Sequence, residues 1–370
     1  MLNVFLLSVF LLSFAIILFY ILFFRIRFAL YHVSEHNTYT HQKPLSVVIC
    51  AKNEEYNLKI NLPEILQQDY SDFEVIVVDD NSTDETYYVL KAMQIQYTNL
   101  NVIRLTENVN FFSGKKFPLS IGIRSAKHNH LVLTDADCRP STGKWLQHMM
   151  SGFAENKEIV LGYGKYEYQK GMLNTFIRFE TLYTAMQYFS FALSGFPYMG
   201  VGRNLAYTKE LFTAHKGFSS HYNVASGDDD LFVNGAANAK NTKCIIHPQS
   251  FTISAPRQTW SEWWKQKRRH LTSGKHYKTK HKFLLSIYPV SLLMFYITFI
   301  LTVSNQNNFY IVFPLFLLKV ISDLVVFKKI TGKLKEKNLL LFSVFFEFLI
   351  ILTYGMIFLF NSFSKQGKWK

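Results

Sequence analysis

Hydrophobic positions along this chain fall into two regimes. Near the ends they run unbroken, over Val4–Phe24, Phe283–Val303, Phe309–Phe327 and Leu339–Phe363. A helix needs about 20 apolar residues to cross a hydrocarbon core, so these runs predict membrane-spanning segments. Val4–Phe24 lacks the basic start, short core and small-residue cleavage site of a signal peptide. Between Leu45 and Lys282 the pattern changes to short β-branched runs at Ser46–Cys50, Glu74–Val78, Asn101–Leu105 and His130–Thr134. Their starts lie roughly 28 residues apart, the length of a βαβ unit. Helical spacing fills the gaps over Tyr56–Gln68, Asp84–Tyr97 and Lys115–Ala126, and Ser82-Thr83-Asp84-Glu85 reads as a capping box at the second helix. Strands this apolar belong in a parallel sheet covered on both faces. The expectation is an α/β fold, a Rossmann-like mostly parallel sheet flanked by transmembrane α-helices. Residues 1–24 form the first membrane helix, 25–44 a linker, 45–282 a domain with interfacial helices, and 283–370 a membrane region of about three apolar segments.

Composition strengthens the membrane reading: 49% of residues are hydrophobic and 35 are Phe. The net charge of +14 suits lipid headgroups, nucleotide phosphates or nucleic acid. The basic residues gather around apolar runs and aromatics, which favours lipid and argues against nucleic acid. Cys50, Cys138 and Cys244 show no disulfide or metal-ligand spacing, as in a reducing compartment. Arg25 and Arg27 directly after the first run put the middle domain in the cytoplasm. Lys328, Lys329, Lys333, Lys335 and Lys337 agree with alternating spans, but Lys365, Lys368 and Lys370 then fall on the wrong side. A re-entrant or interfacial run among the last ones would remove that conflict.

Three of the four β runs end in polar clusters: Lys52-Asn53-Glu54-Glu55, Asp79-Asp80-Asn81 and Asp135-Ala136-Asp137. Ligands of open α/β sheets bind beyond these strand ends. Asp135 and Asp137 leave the strand on one face and suit Mg²⁺ or Mn²⁺ bridging to a diphosphate. A solvated turn would carry the same tripeptide; its place after an apolar strand favours the metal. Asp79 and Asp80 are candidates for a base or ribose, with Ser82 and Asp84 as caps. Gly114-Lys115-Lys116 opens a helix, where either lysine can meet a phosphate or stand as a solvated charge. Asp228-Asp229-Asp230 crowds three carboxylates, which suits a general base as well as it suits a solvated acidic turn. Gln266 and Arg269 share a helix face in a Trp- and Lys/Arg-rich segment that also reads as a membrane-interface helix. The aromatic stretch Phe176–Met199 fits an interfacial helix guiding a lipid-linked acceptor or a core helix equally. Within the last runs, Lys319 and Asp323 are spaced to pair, while Glu347 stands alone.

Taken in order over about Leu45–Tyr277, these pieces resemble the membrane-bound family 2 glycosyltransferases. Leu45-Ser46-Val47-Val48-Ile49 with Asn53-Glu54-Glu55 looks like the opening strand and donor loop. Val78–Asp84 looks like the nucleoside-binding segment, and Asp135-Ala136-Asp137 matches the DxD motif. Gln266–His270 is similar to QxxRW, with His270 in place of Trp. The resemblance implies an inverting GT-A enzyme of the cell envelope using a nucleotide-diphosphate sugar, a UDP-sugar being favoured, and a lipid-linked or glycan acceptor. It implies Glu54, Asp79, Asp80, Lys115, Asp135, Gln266 and Arg269 on the donor, Asp137 with Asp135 on the metal, and Asp228 or Asp229 as base. Gly202, Asn204 and His270 fall on the acceptor side. Asp228 is the first choice of base, because Asp230 then fills the second acidic position. A multi-pass membrane protein with a cytoplasmic catalytic domain follows, with its oligomeric state unspecified. Alternatives are a processive polysaccharide synthase and a non-catalytic nucleotide-sugar-binding scaffold.

Overall fold

The computed structural model describes residues 1–32, 43–106, 114–224, 226–304 and 306–363. Among them the strands are β1 (Leu45–Ala51), β2 (Phe73–Asp80), β3 (Leu100–Leu105), β4 (His130–Leu133), β5 (Cys138–Pro140), β6 (Ile159–Leu161), β7 (Gly164–Tyr166), β8 (Leu205–Thr208), β9 (Thr242–Cys244) and β10 (Thr252–Ser254). The α-helices are α1 (Leu2–Tyr20), α2 (Ile26–Leu30), α3 (Glu55–Leu66), α4 (Thr86–Gln96), α5 (Lys116–Ser125), α6 (Trp145–Ser151), α7 (Met172–Leu193), α8 (Lys209–Ala214), α9 (Asp230–Ala236), α10 (Trp260–His270), α11 (Thr279–Val303), α12 (Gln306–Lys333) and α13 (Ser343–Phe363).

The four expected strands and the helices between them are present, shifted by one or two residues. They form the parallel half of a seven-stranded sheet of order β3-β2-β1-β4-β8-β6-β9, in which β8 runs antiparallel to both neighbours. Every residue of β1 is buried, because each face is covered. Leu45, Val47 and Ile49 pack with Leu58 and Leu62 of α3 and Trp145 of α6. Val48 packs with Leu119 and Ile123 of α5 on the other side. That helix lies so close that a Cβ on Gly122 would meet Val48 Cγ1 at 2.6 Å. A second sheet, β5-β10-β7, stands beside the first.

The capping box does not form as expected. Ser82 Oγ accepts the Asn53 N–H (2.9 Å), and Asp84 Oδ2 accepts the Glu55 N–H (3.3 Å), so these side chains tie the β1–α3 and β2–α4 loops together. Only Asp84 Oδ1 caps, on the Thr86 N–H (3.0 Å). Asn53 and Asn81 turn the two loops with φ of 56° and 52°, a region Asn tolerates better than most residues.

Four helices among the described residues are long and apolar enough to cross a membrane: Leu2–Leu30, Thr279–Val303, Asn308–Lys333 and Leu340–Ser362. The first continues past Phe24 through a π turn (Ile21–Arg25), so residues 25–30 of the expected linker are helical. Arg25 is not an exposed flanking charge. It turns inward and pairs with Asp323 of α12 and Glu347 of α13, each at 3.0 Å. Lys319 pairs with Asp323 (2.8 Å) as its spacing suggests, and also with Glu347 (3.0 Å). Glu347 is therefore not alone; Tyr288 of α11 also donates to it, at 2.8 Å. Two cations and two carboxylates neutralise one another inside the bundle.

The α12–α13 connection docks on the α/β domain, where buried Glu336 pairs with Arg178 of α7 and accepts from Tyr163. From there α13 stays against that domain. Phe346 packs edge-on against Phe176 of α7 (5.3 Å), Tyr354 donates to Glu180, and Asn361 exchanges two hydrogen bonds with Arg268 of α10 (3.1 and 2.9 Å). Phe345, Met356, Phe358 and Leu359 of the same helix are exposed. Lys365, Lys368 and Lys370 lie outside the described residues.

Candidate active site

The C-terminal ends of β1, β2 and β4 converge, as the polar clusters suggest. Asp79 is fully buried: Oδ1 accepts the Ser82 N–H (3.1 Å), while Oδ2 has no hydrogen-bond partner and lies 4.0 Å from Arg104. Asp80, also buried, faces Lys52 at 3.5 Å. Burial pushes its pKa up, with Lys52 opposing. Glu54 accepts from Asn57 and donates its N–H to Thr86, bridging the two loops.

Beyond β4, Asp135 pairs with Lys115, the residue preceding α5. Burial works against both charges. Asp135 and then Asp228 outweigh it at Lys115 and raise its pKa, and Lys115 outweighs it at Asp135, whose pKa falls. Asp137 goes the other way: burial and then the Asp135 charge raise it. An acidic pair with one member held up this way takes a cation readily. Asp135, Asp137 and Cys138 can present ligand atoms within 4.8 Å of one another, a donor set that fits a divalent metal. Cys138 lacked any metal spacing in the sequence; its Sγ contacts Asp137 Oδ1 (3.4 Å) and Ser254 Oγ (3.1 Å).

The three consecutive aspartates separate by environment. Asp229 accepts the Gly202 N–H and the Asp230 N–H, each at 2.7 Å, capping α9. Burial first, then Asp228 and Asp230, push its pKa up to about 8. Asp230 is buried and accepts from Ser273, Tyr277 (2.6 Å) and the Leu231 N–H (2.7 Å). Of the three, Asp228 is the one whose carboxylate accepts no hydrogen bond from the described residues, and its charge reaches Lys115. Gly202 thus holds Asp229. Asn204 is fully buried: Nδ2 donates to Tyr163 O (3.0 Å) and Ser250 O (2.7 Å), and Oδ1 accepts from Trp145 (3.0 Å). Both amide hydrogens and one Oδ1 lone pair are used inside the framework, so the structure places Asn204 as a buried brace rather than on an open surface.

Gln266 Nε2 reaches Tyr166 OH (3.5 Å), Arg269 is close enough to lower Asp135, and His270 is exposed beside it, 3.4 Å from an Arg269 nitrogen. Arg203 was missed. Its guanidinium lies over the Tyr166 ring (4.3 Å), donates to Ser254 Oγ (3.3 Å), adds to the lowering of Asp135 and opposes the rise of Asp137. It stands between Gly202 and Asn204, but its direction depends on the β7–β10 pairing, which local pattern does not reveal.

This α/β domain with a strand-end acidic pair has a GT-A-type fold. The chain matches Glycosyl transferase family 2 over residues 46–208 and Glycosyl transferase family group 2 over residues 131–359; it belongs to the family 2 glycosyltransferases. It is 23% identical over 237 residues to a probable glycosyltransferase, YdaM, of Bacillus subtilis, covering 61% of this chain and 54% of that one. It is 28% identical over 130 residues to the glycosyltransferase AglE of Haloferax volcanii, covering 34% and 41%. The chain thus spans about half or less of these relatives' lengths. The structure is similar to a mannosyltransferase, PcManGT, from Pyrobaculum calidifontis, solved in complex with GDP-Man and Mn²⁺. The TM-score is 0.64 at 17% identity, over 99% of this chain and 100% of that one.

Proposed function

We propose that this enzyme moves a sugar, with inversion, from a nucleoside-diphosphate sugar to a lipid-linked or membrane-proximal glycan hydroxyl. The observation that carries the reading is Asp228, the one of the three carboxylates that accepts no hydrogen bond, within electrostatic reach of Lys115 of the Lys115–Asp135 pair. Asp228 accepts the acceptor proton as its oxygen attacks the anomeric carbon and the diphosphate leaves. Lys115, Arg203, Gln266 and Arg269 receive the growing negative charge. The orphaned Asp79 Oδ2 and Asp80 bind the base by accepting its N–H groups. Asp137, with Asp135 and the neighbouring Cys138, would hold Mg²⁺ or Mn²⁺, which supplies charge neutralisation at the diphosphate. His270 lies on the acceptor side. The nucleotide is chosen by experiment: membranes are incubated with UDP- and GDP-sugars, with Mn²⁺, Mg²⁺ or chelator. Transfer from one donor, lost with chelator and restored by metal, is expected. Equal turnover in chelator would overturn the metal assignment, and inactivity with every donor would overturn the donor class.

The catalytic domain is read as cytoplasmic, with α1, α11 and α12 crossing the membrane and α13 lying in its interface. The contacts of α13 with α7 and α10 along its length support this, as do its exposed apolar residues. It also removes the conflict over the basic tail. Cys50, Cys138 and Cys244 are buried, so a Ser362→Cys variant gives a clean signal for an impermeant thiol reagent. Labelling is expected from the side that labels a Lys91→Cys variant; labelling from the opposite side refutes the interfacial placement.

A further inference from the structure

Lys115 and Lys116 stand side by side at the start of α5 but serve opposite halves of the cleft. Lys115 pairs with Asp135. Lys116 is 4% exposed, and its Nζ donates to the carbonyls of His221 (2.9 Å), Val224 (2.5 Å) and Ser226 (2.7 Å). An ammonium has three donors; all three are used, and none goes to a carboxylate. The three carbonyls belong to the segment leading into Gly227 and Asp228. Gly227 turns that segment into α9 with φ of +100°, and a Cβ there would meet Leu231 Cδ1 at 2.4 Å, so only glycine fits. Burial lowers the Lys116 pKa to about 8, with Asp228 the first charge opposing. A buried ammonium is costly unless fully hydrogen-bonded. Here that cost goes into holding a loop rather than a partner charge.

We infer that Lys116 is a positioning residue: by fastening the carbonyls of His221, Val224 and Ser226 to the start of α5, it sets Asp228 at a fixed place relative to the Lys115–Asp135 pair. Acceptor activation is thereby registered to the donor through two adjacent residues at the start of one helix. The inference rests on Asp228 as the base.

The test is a double-mutant cycle in the full-length protein, using the nucleotide sugar found active in the donor panel. Lys116→Met keeps the stem and removes the donors. It is expected to lower kcat about 100-fold, the scale of a small misplacement of a reacting group, with donor KM within about threefold. UDP and GDP binding with Mn²⁺ should change no more than that. Lys116→Met combined with Asp228→Asn should be no slower than Asp228→Asn alone, because a base that is absent cannot be misplaced. A merely structural role gives additive losses and weaker nucleotide binding. Lys116→Gln, which keeps two N–H donors, should retain more activity than Lys116→Met. Additive losses, an unimpaired kcat in Lys116→Met, or loss of nucleotide binding in both Lys116 variants overturns the inference. A fast Asp228→Asn variant overturns the base assignment instead, and the inference with it.

Discussion

Asp228→Asn is expected to lower kcat about 10³-fold, within the usual range for removal of a general base, while donor KM and nucleotide binding stay near wild type. Asn keeps the size of Asp but cannot accept a proton. The neighbours do not take over. Both Asp229 oxygens are occupied by backbone N–H groups, and a pKa near 8 leaves that carboxyl largely protonated at neutral pH. Asp230 is buried behind Ser273 and Tyr277. The companion Asp229→Asn variant is expected to behave differently. It keeps one acceptor for the Gly202 or Asp230 N–H and should reduce thermal stability more than the chemical step. Single-turnover transfer and donor hydrolysis, measured together on both variants, decide between them. If Asp229→Asn stops transfer and Asp228→Asn does not, the assignment is reversed.

The α/β half was legible because its strands are long and apolar enough to show as runs, and because each returns at the spacing of a helix crossover. The gathering of Asp79, Asp80, Asp135 and Asp137 at one edge of the sheet followed from where those runs stop. The rest of that sheet and the second sheet were not legible. Strands β5, β6, β7, β9 and β10 have three residues each, too few for any alternation to register. Their pairing is what aims Arg203 at the acidic pair and buries Asn204. The same limit explains the mixed fate of the loop residues. Gly202, Arg203 and Asn204 are consecutive, yet one holds Asp229, one lies beside Asp135 and Asp137 and one braces the framework. Nothing in the residue types distinguishes those duties. The environments of the three aspartates were equally hidden, since Ser273 and Tyr277 lie more than 40 positions from Asp230.

Long-range pairing also explains the misreading of Arg25, and it supports the second large expected effect, on stability. A cation next to an apolar run ordinarily marks the membrane surface. Here its partners, Asp323 and Glu347, lie about 300 residues away, so sequence neighbours carry no sign of burial. Glu347→Ala would leave Arg25 and Lys319 sharing the single carboxylate of Asp323, and the hydroxyl of Tyr288 would lose its acceptor. Removing one partner of a buried ion pair costs about 3–5 kcal/mol, because the remaining charge is neither hydrated nor neutralised. A lowered melting temperature in detergent and faster proteolysis are expected. The decisive comparison adds Lys319→Met to Glu347→Leu. That pair removes one positive and one negative charge, leaves Arg25 with Asp323, and fills the space with apolar atoms, so most of the lost stability should return. Recovery identifies charge balance as the cause; a double variant as unstable as Glu347→Ala identifies lost packing instead. The consequence reaches the active site, because Tyr183 of α7 also contacts Arg25, at 3.3 Å, and the next turn of that helix carries Glu180, which pairs with Lys267 beside Gln266. Loosening the cluster should therefore weaken the seating of α10, and transfer activity should fall at temperatures below the melting transition.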